Sequence, residues 1–122
     1  MRNLLKLEEA AIFAGTLIAF YGAFPGDWWV FLLLLFAPDI GMIGYLDGPR
    51  LGAITYNLLH HRGIAVAIYF LGVYLENPVI VWIGVIIFLH STLDRVFGYG
   101  LKYADSFQNT HLGPIGAAAR EA

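Results

Sequence analysis

Cysteine is absent from this 122-residue chain, which removes disulfide frameworks, thiolate zinc sites and cysteine nucleophiles from consideration. Charge is nearly as scarce. Only 13% of residues are Asp, Glu, Lys or Arg, against about a quarter in ordinary soluble domains. There is no basic block, and a net charge of −2 argues against nucleic acid as a partner. Internal repeats and low-complexity tracts are missing, as is any dense metal signature such as two histidines flanking a glutamate on one helix.

What the chain has instead is apolar surface. Apolar and aromatic residues make up 59% of it and the mean hydropathy is +0.69, which points into a bilayer rather than to a soluble core. Four apolar stretches approach the roughly 20 residues that a helix needs to cross about 30 Å of hydrocarbon: Leu4–Phe24, Trp28–Leu46, Leu51–Leu75 and Val79–Phe97. The first reads as a retained span, because Glu8 and Glu9 interrupt its start and no small-residue cleavage site follows it. Pro25-Gly26-Asp27, Asp47-Gly48-Pro49 and Asn77-Pro78 are tight connections, so sequential helices should run antiparallel. The expected fold is all-α: an integral-membrane, up-down-up-down four-helix bundle over 1–97 with a cytoplasmic tail over 98–122.

Basic residues set the orientation. Arg2, Lys6, Arg50, Lys102 and Arg120 share one side with Arg95 near the boundary, whereas the opposite loops carry Asp27 and Glu76. By the positive-inside rule both termini are expected in the cytoplasm. Trp28 and Trp29 then lie at the outer interface. The bilayer is the expected partner, an amphiphilic small molecule a second, and self-association is compatible with so small a bundle.

Ionisable residues inside apolar spans cost several kcal/mol each and mark sites or pathways. Here they are Asp39 beside Pro38, then Tyr56, Asn57, His60, His61 and Arg62, and finally His90, Ser91, Asp94 and Arg95. Three- and four-residue spacings place Asn57 with His60 and His61, and His90 with Asp94, on common helix faces. At about 1.5 Å per residue, Asp94 should lie about 5 Å from the cytoplasmic end, His90 and Asp39 about 10 Å, and His60 about 15 Å. Glu8 belongs to the same half. Neutral imidazoles with carboxylates are ligands for zinc, iron or manganese, so Asp39, His60, His90 and Asp94 are the candidate ligands, with His61 and His111 as alternates. Asp39, His90, Asp94 and Glu8 are the candidate acid–base groups, and Tyr56, Asn57, Arg95, Lys102 and His111 the candidate substrate contacts. The same groups could fix helix register through hydrogen bonds, or carry a proton or cation across the membrane.

Several motifs together, Leu7-Glu8, Ala37-Pro38-Asp39, Gly44-Tyr45-Leu46, Gly48-Pro49-Arg50, Tyr56-Asn57, His60, the run from His90 to Arg95, Gly98-Tyr99-Gly100-Leu101-Lys102-Tyr103 and Thr110-His111-Leu112-Gly113, resemble a family of small bacterial multi-pass membrane proteins of unknown function. That resemblance implies a compact helical membrane protein and no particular activity. Pro38-Asp39, His61-Arg62-Gly63 and His90-Ser91 are more distantly similar to fragments of membrane-bound metal-dependent hydrolases, which implies metal-assisted hydrolysis of a lipid-like substrate. In the tail, Phe107, Leu112 and Ile115 alternate with Asp105, Asn109 and His111, a pattern expected to dock over the cytoplasmic mouth, whereas Ala117–Ala122 offers little to bury.

Overall fold

A computed structural model describes residues 1–105 and 108–114. Phe107, Ile115, Ala117–Ala122 and Arg120, which the tail and charge expectations invoke, lie outside these residues. The described chain is helical apart from its end: α1 (Arg2–Tyr21), α2 (Trp28–Leu35), a 3-10 segment (Ala37–Asp47), α3 (Pro49–His60), α4 (Arg62–Tyr74) and α5 (Pro78–Val96). A two-stranded antiparallel pair, β1 (Asn109–Thr110) and β2 (Gly113–Pro114), follows, with Thr110 opposite Gly113 and Lys102 bridged to Thr110.

Local chemistry explains the turns. Gly48 takes φ 113°, a conformation closed to most side chains, and Pro49 opens α3 with its ring pre-set for a helix. Asn77 caps α5, its side-chain oxygen accepting from the Val79 and Ile80 amides at 3.0 and 3.3 Å, with Pro78 in the first turn.

Two stretches expected as single helices are interrupted. Pro38 has no amide hydrogen and its ring crowds the preceding turn, so the helix begun at Trp28 ends at Leu35 and continues as the tighter 3-10 segment. The stretch Leu51–Leu75 divides at His61, which is extended at φ −88° and ψ 116°. There the His61 ring folds back, and its Nδ1 accepts from the Ile64 amide at 3.2 Å. Gly63 leaves room for that ring, since a Cβ there would lie 2.7 Å from His61 Cε1.

Packing ties the elements together at both ends. At one end Phe24 packs edge-on against Phe31 and Trp82, and Phe20 against Tyr69. Behind them lies the buried core of Phe31, Leu35, Val85, Ile86 and Leu89. At the other end Arg62 grips Glu9 of α1 through both terminal nitrogens, at 2.8 and 3.1 Å. Small residues permit close helix approach between these ends. A Cβ on Gly84 would meet the Tyr69 amide nitrogen at 2.6 Å, and one on Gly41 the Thr55 carbonyl at 2.8 Å.

Two helical stretches, Trp28–Asp47 and Pro78–Val96, are long and apolar enough to cross a membrane. Their most apolar windows are only 28% and 44% buried, so much of their apolar surface faces outward, unlike a core helix of a soluble protein.

Candidate metal centre

The two helix interruptions place backbone carbonyls where ordinary helices would have none free. In an α-helix the Leu35 carbonyl would accept from the Asp39 amide. Here that amide bonds to Phe36 O at 3.2 Å instead, and Leu35 O receives Nδ1 of His90 at 2.6 Å. At the second break the Ile64 amide turns to His61, and the released His60 carbonyl accepts the Ser91 hydroxyl at 2.5 Å. One turn earlier, His60 Nδ1 donates to Tyr56 O at 2.8 Å.

These bonds determine the histidine chemistry. A carbonyl only accepts, so each Nδ1 carries a hydrogen, and in the neutral imidazole each Nε2 presents its lone pair on the opposite edge. Both Nε2 atoms meet the same two carboxylates. His90 Nε2 is 3.0 Å from Asp39 Oδ1 and 3.5 Å from Asp94 Oδ2. His60 Nε2 is 3.5 Å from Asp39 Oδ1 and 3.3 Å from Asp94 Oδ2, and it is buried without a hydrogen-bond partner.

Four acceptors thus surround one point, all within 4.8 Å of one another. Lone pairs facing lone pairs repel unless positive charge lies between them, supplied either by protons on the imidazoles or by a metal ion. The four nitrogen–oxygen separations bracket the roughly 3.3 Å between ligands of a tetrahedral ion bound at about 2.0 Å. Histidines whose second nitrogen donates to a backbone carbonyl are also the usual outer-shell arrangement at metal sites. The cluster could therefore hold a metal ion.

Around the four groups, Tyr56 stacks on His60 with ring centroids 3.7 Å apart and donates its hydroxyl to Asp94 Oδ2 at 3.1 Å. His60 and His90 are almost completely buried, whereas the Asp39 side chain is 41% exposed and is the accessible corner.

The remaining predicted residues occupy other positions. Asn57 clamps the tail, its amide donating to Lys102 O at 2.8 Å and its oxygen accepting from Lys102 N at 2.7 Å. Lys102 is thereby buried with its ammonium 4.8 Å from the Tyr56 ring centroid. Burial pushes its pKa down to about 8, against the opposing pull of Asp94 and Asp39. His111 stays outside the cluster and accepts from the Leu101 amide at 2.8 Å. Burial, then the Arg95 charge, hold its pKa below 6.5. His61 serves as a helix cap, Glu8 is exposed on α1, and Arg95 is half-buried near Arg62 and Glu9.

Pro38 in the sequence implies a freed carbonyl beside Asp39, and a backbone carbonyl is an expected acceptor for His90. Which carbonyl serves it, the Tyr56 carbonyl at His60 and the Ser91 bond were not foreseen, because backbone acceptors leave no mark in residue type. Pro38, three residues beyond Leu35, is the one visible signal.

The model of a domain of unknown function, DUF4260, matches residues 2–115. The chain belongs to this family. The matched span takes in all four cluster residues and the tail through Pro114, so the centre lies wholly within the family domain. No curated protein and no solved structure matches the chain. Of the three fragments expected from the sequence to be hydrolase-like, Asp39 and His90 enter the cluster, while His61 caps its own helix.

Proposed function

We propose that this DUF4260 protein is a four-span protein of the bacterial inner membrane that binds one divalent transition metal, zinc, iron or manganese, through Asp39, His60, His90 and Asp94. One observation carries the reading: two imidazole Nε2 atoms, each backed by an Nδ1 bond to a backbone carbonyl, face two carboxylate oxygens. The aromatic contacts at one end and the Glu9–Arg62 pair at the other support antiparallel spans, with α3 and α4 together forming the third.

Hydrolysis of a lipid-like substrate is the catalytic extension. An ion that takes a fifth ligand beside exposed Asp39 would acidify a coordinated water. A transport role fits less well, because the core beyond His90 consists of apolar side chains such as Leu35, Ile86 and Leu89. A purely structural role requires the histidines to be protonated partners of the aspartates.

Metal analysis of the untagged protein tests the proposal. It should retain about one equivalent of metal, and His90→Gln, which keeps polarity and much of the volume, should lose most of it. Stability that rises on adding metal to the parent and not to His90→Gln is the accompanying signature. Parent protein devoid of metal after supplementation, or equal metal in His90→Gln and Asp94→Asn, would overturn the proposal.

A further inference from the structure

An apolar groove of about 590 Å³ lies between α2, the 3-10 segment, α3 and α5. Its volume falls within the roughly 300–1,000 Å³ of a site for a single small ligand. One end opens among Phe24, Pro25, Gly26 and Pro78, and the walls carry aliphatic side chains such as Leu34 and Ile83. Along α5 the lining runs from Pro78 to Ile87, about 14 Å at 1.5 Å per residue, close to half the hydrocarbon thickness of a bilayer.

The other end of the groove distinguishes it from a lipid-facing crease. Pro38 and Ile40, the two neighbours of Asp39 in the chain, both line it, as do Leu59, which precedes His60, and Ile86 and Ile87, one turn before His90. A slot for hydrocarbon thus ends at chain neighbours of three of the four cluster residues, with none of the four themselves in its lining. The Asp39 side chain itself is 41% exposed, within the apolar stretch Trp28–Asp47. A half-exposed carboxylate is costly against hydrocarbon and inexpensive against a polar group.

We infer that the groove holds the single hydrocarbon chain of a fatty carboxylate, whose carboxyl group binds the metal as a further ligand on the Asp39 side. This inference rests on the metal reading above. The groove supplies affinity through burial of the chain, and the ion selects the acid over its uncharged ester.

The test uses the full chain in phosphatidylcholine nanodiscs, loaded with zinc or manganese, and a long-chain fatty acid carrying a photoreactive diazirine. Ile83→Trp and Leu34→Trp fill the groove from opposite walls without touching a ligand. Ile18→Trp alters an equally greasy position of α1, 82% exposed and outside the groove. Labelling should fall about tenfold in both groove variants and stay unchanged in Ile18→Trp, with equal metal content in all three. Palmitate should compete about tenfold better than its methyl ester, and chelation should abolish that difference. Metal-loaded protein whose labelling is the same in the groove variants, or is competed equally by acid and ester, overturns the inference and leaves the metal reading standing. Parent protein that retains no metal overturns both.

Discussion

The two ends of the helical assembly solve opposite problems. Around Phe24, Phe31 and Trp82 the contacts are aromatic and aliphatic, and stability comes from close packing. Around His60 and His90 two helices are broken, and the carbonyls so released are used to orient imidazoles. Packing alone does not call for that second arrangement. It requires helix regularity to be given up at Leu35 and at His60, which is reasonable where a defined polar geometry is the object and wasteful otherwise.

Substitutions that separate the two ends sharpen this contrast. Leu89 is fully buried in the apolar core one residue before His90. Leu89→Ala should destabilise the detergent-solubilised protein by about 2–5 kcal/mol while metal content, measured on the folded fraction, stays at the parental level. A loss of metal in parallel with stability would show that the ends are one cooperative unit. A smaller effect is expected at the tail clamp. Asn57→Ala removes the two bonds that Asn57 makes to the Lys102 amide and carbonyl and should cost about 1–3 kcal/mol of local stability. Faster hydrogen exchange over residues 100–114, with α5 unaffected, would report it. Unchanged exchange there would show that the tail is held by other contacts.

Helix capping provides a third comparison. His61→Ala removes the acceptor for the Ile64 amide and should cost about 0.5–2 kcal/mol. If the ladder then re-forms through the His60 carbonyl, Ser91 loses its acceptor, and metal affinity should fall although no ligand has changed. Metal affinity equal to the parent would separate the break from the site.

The smallest effect is a pH dependence of the tail. The pKa of His111 lies below its unfolded value near 6.5, so its contribution is present above that pH and lost as pH falls through the folded value. Proteolytic nicking between residues 101 and 114 should increase modestly below about pH 6.5 in the parent and not in His111→Gln, which keeps an acceptor for the Leu101 amide. Identical pH profiles would remove His111 from the latch.

Much of the helical layout was legible because its signals are local. Pro25-Gly26-Asp27, Gly48-Pro49 and Asn77-Pro78 act on their own backbone, and each turn falls where those residues are. The four ionisable residues that come together, Asp39, His60, His90 and Asp94, were also visible, since charge within an apolar stretch stands out from its surroundings. The break at His61 was not, because no proline marks it and its cause is one imidazole folding over Gly63. Asn57 presented the same difficulty. Its polar side chain suggested a ligand contact, and only the return of the tail supplies Lys102 to occupy it.

Composition and spacing by themselves determined that the chain is helical, apolar on its outer faces and polar at a few chosen depths, because helix formation, turn chemistry and hydropathy depend on neighbours in sequence. The tertiary structure alone decided that each Nδ1 carries a hydrogen and donates it to a carbonyl, and therefore that the two Nε2 edges face two carboxylates. That choice depends on the Leu35 and Tyr56 carbonyls, one of them 55 residues away from the imidazole it orients.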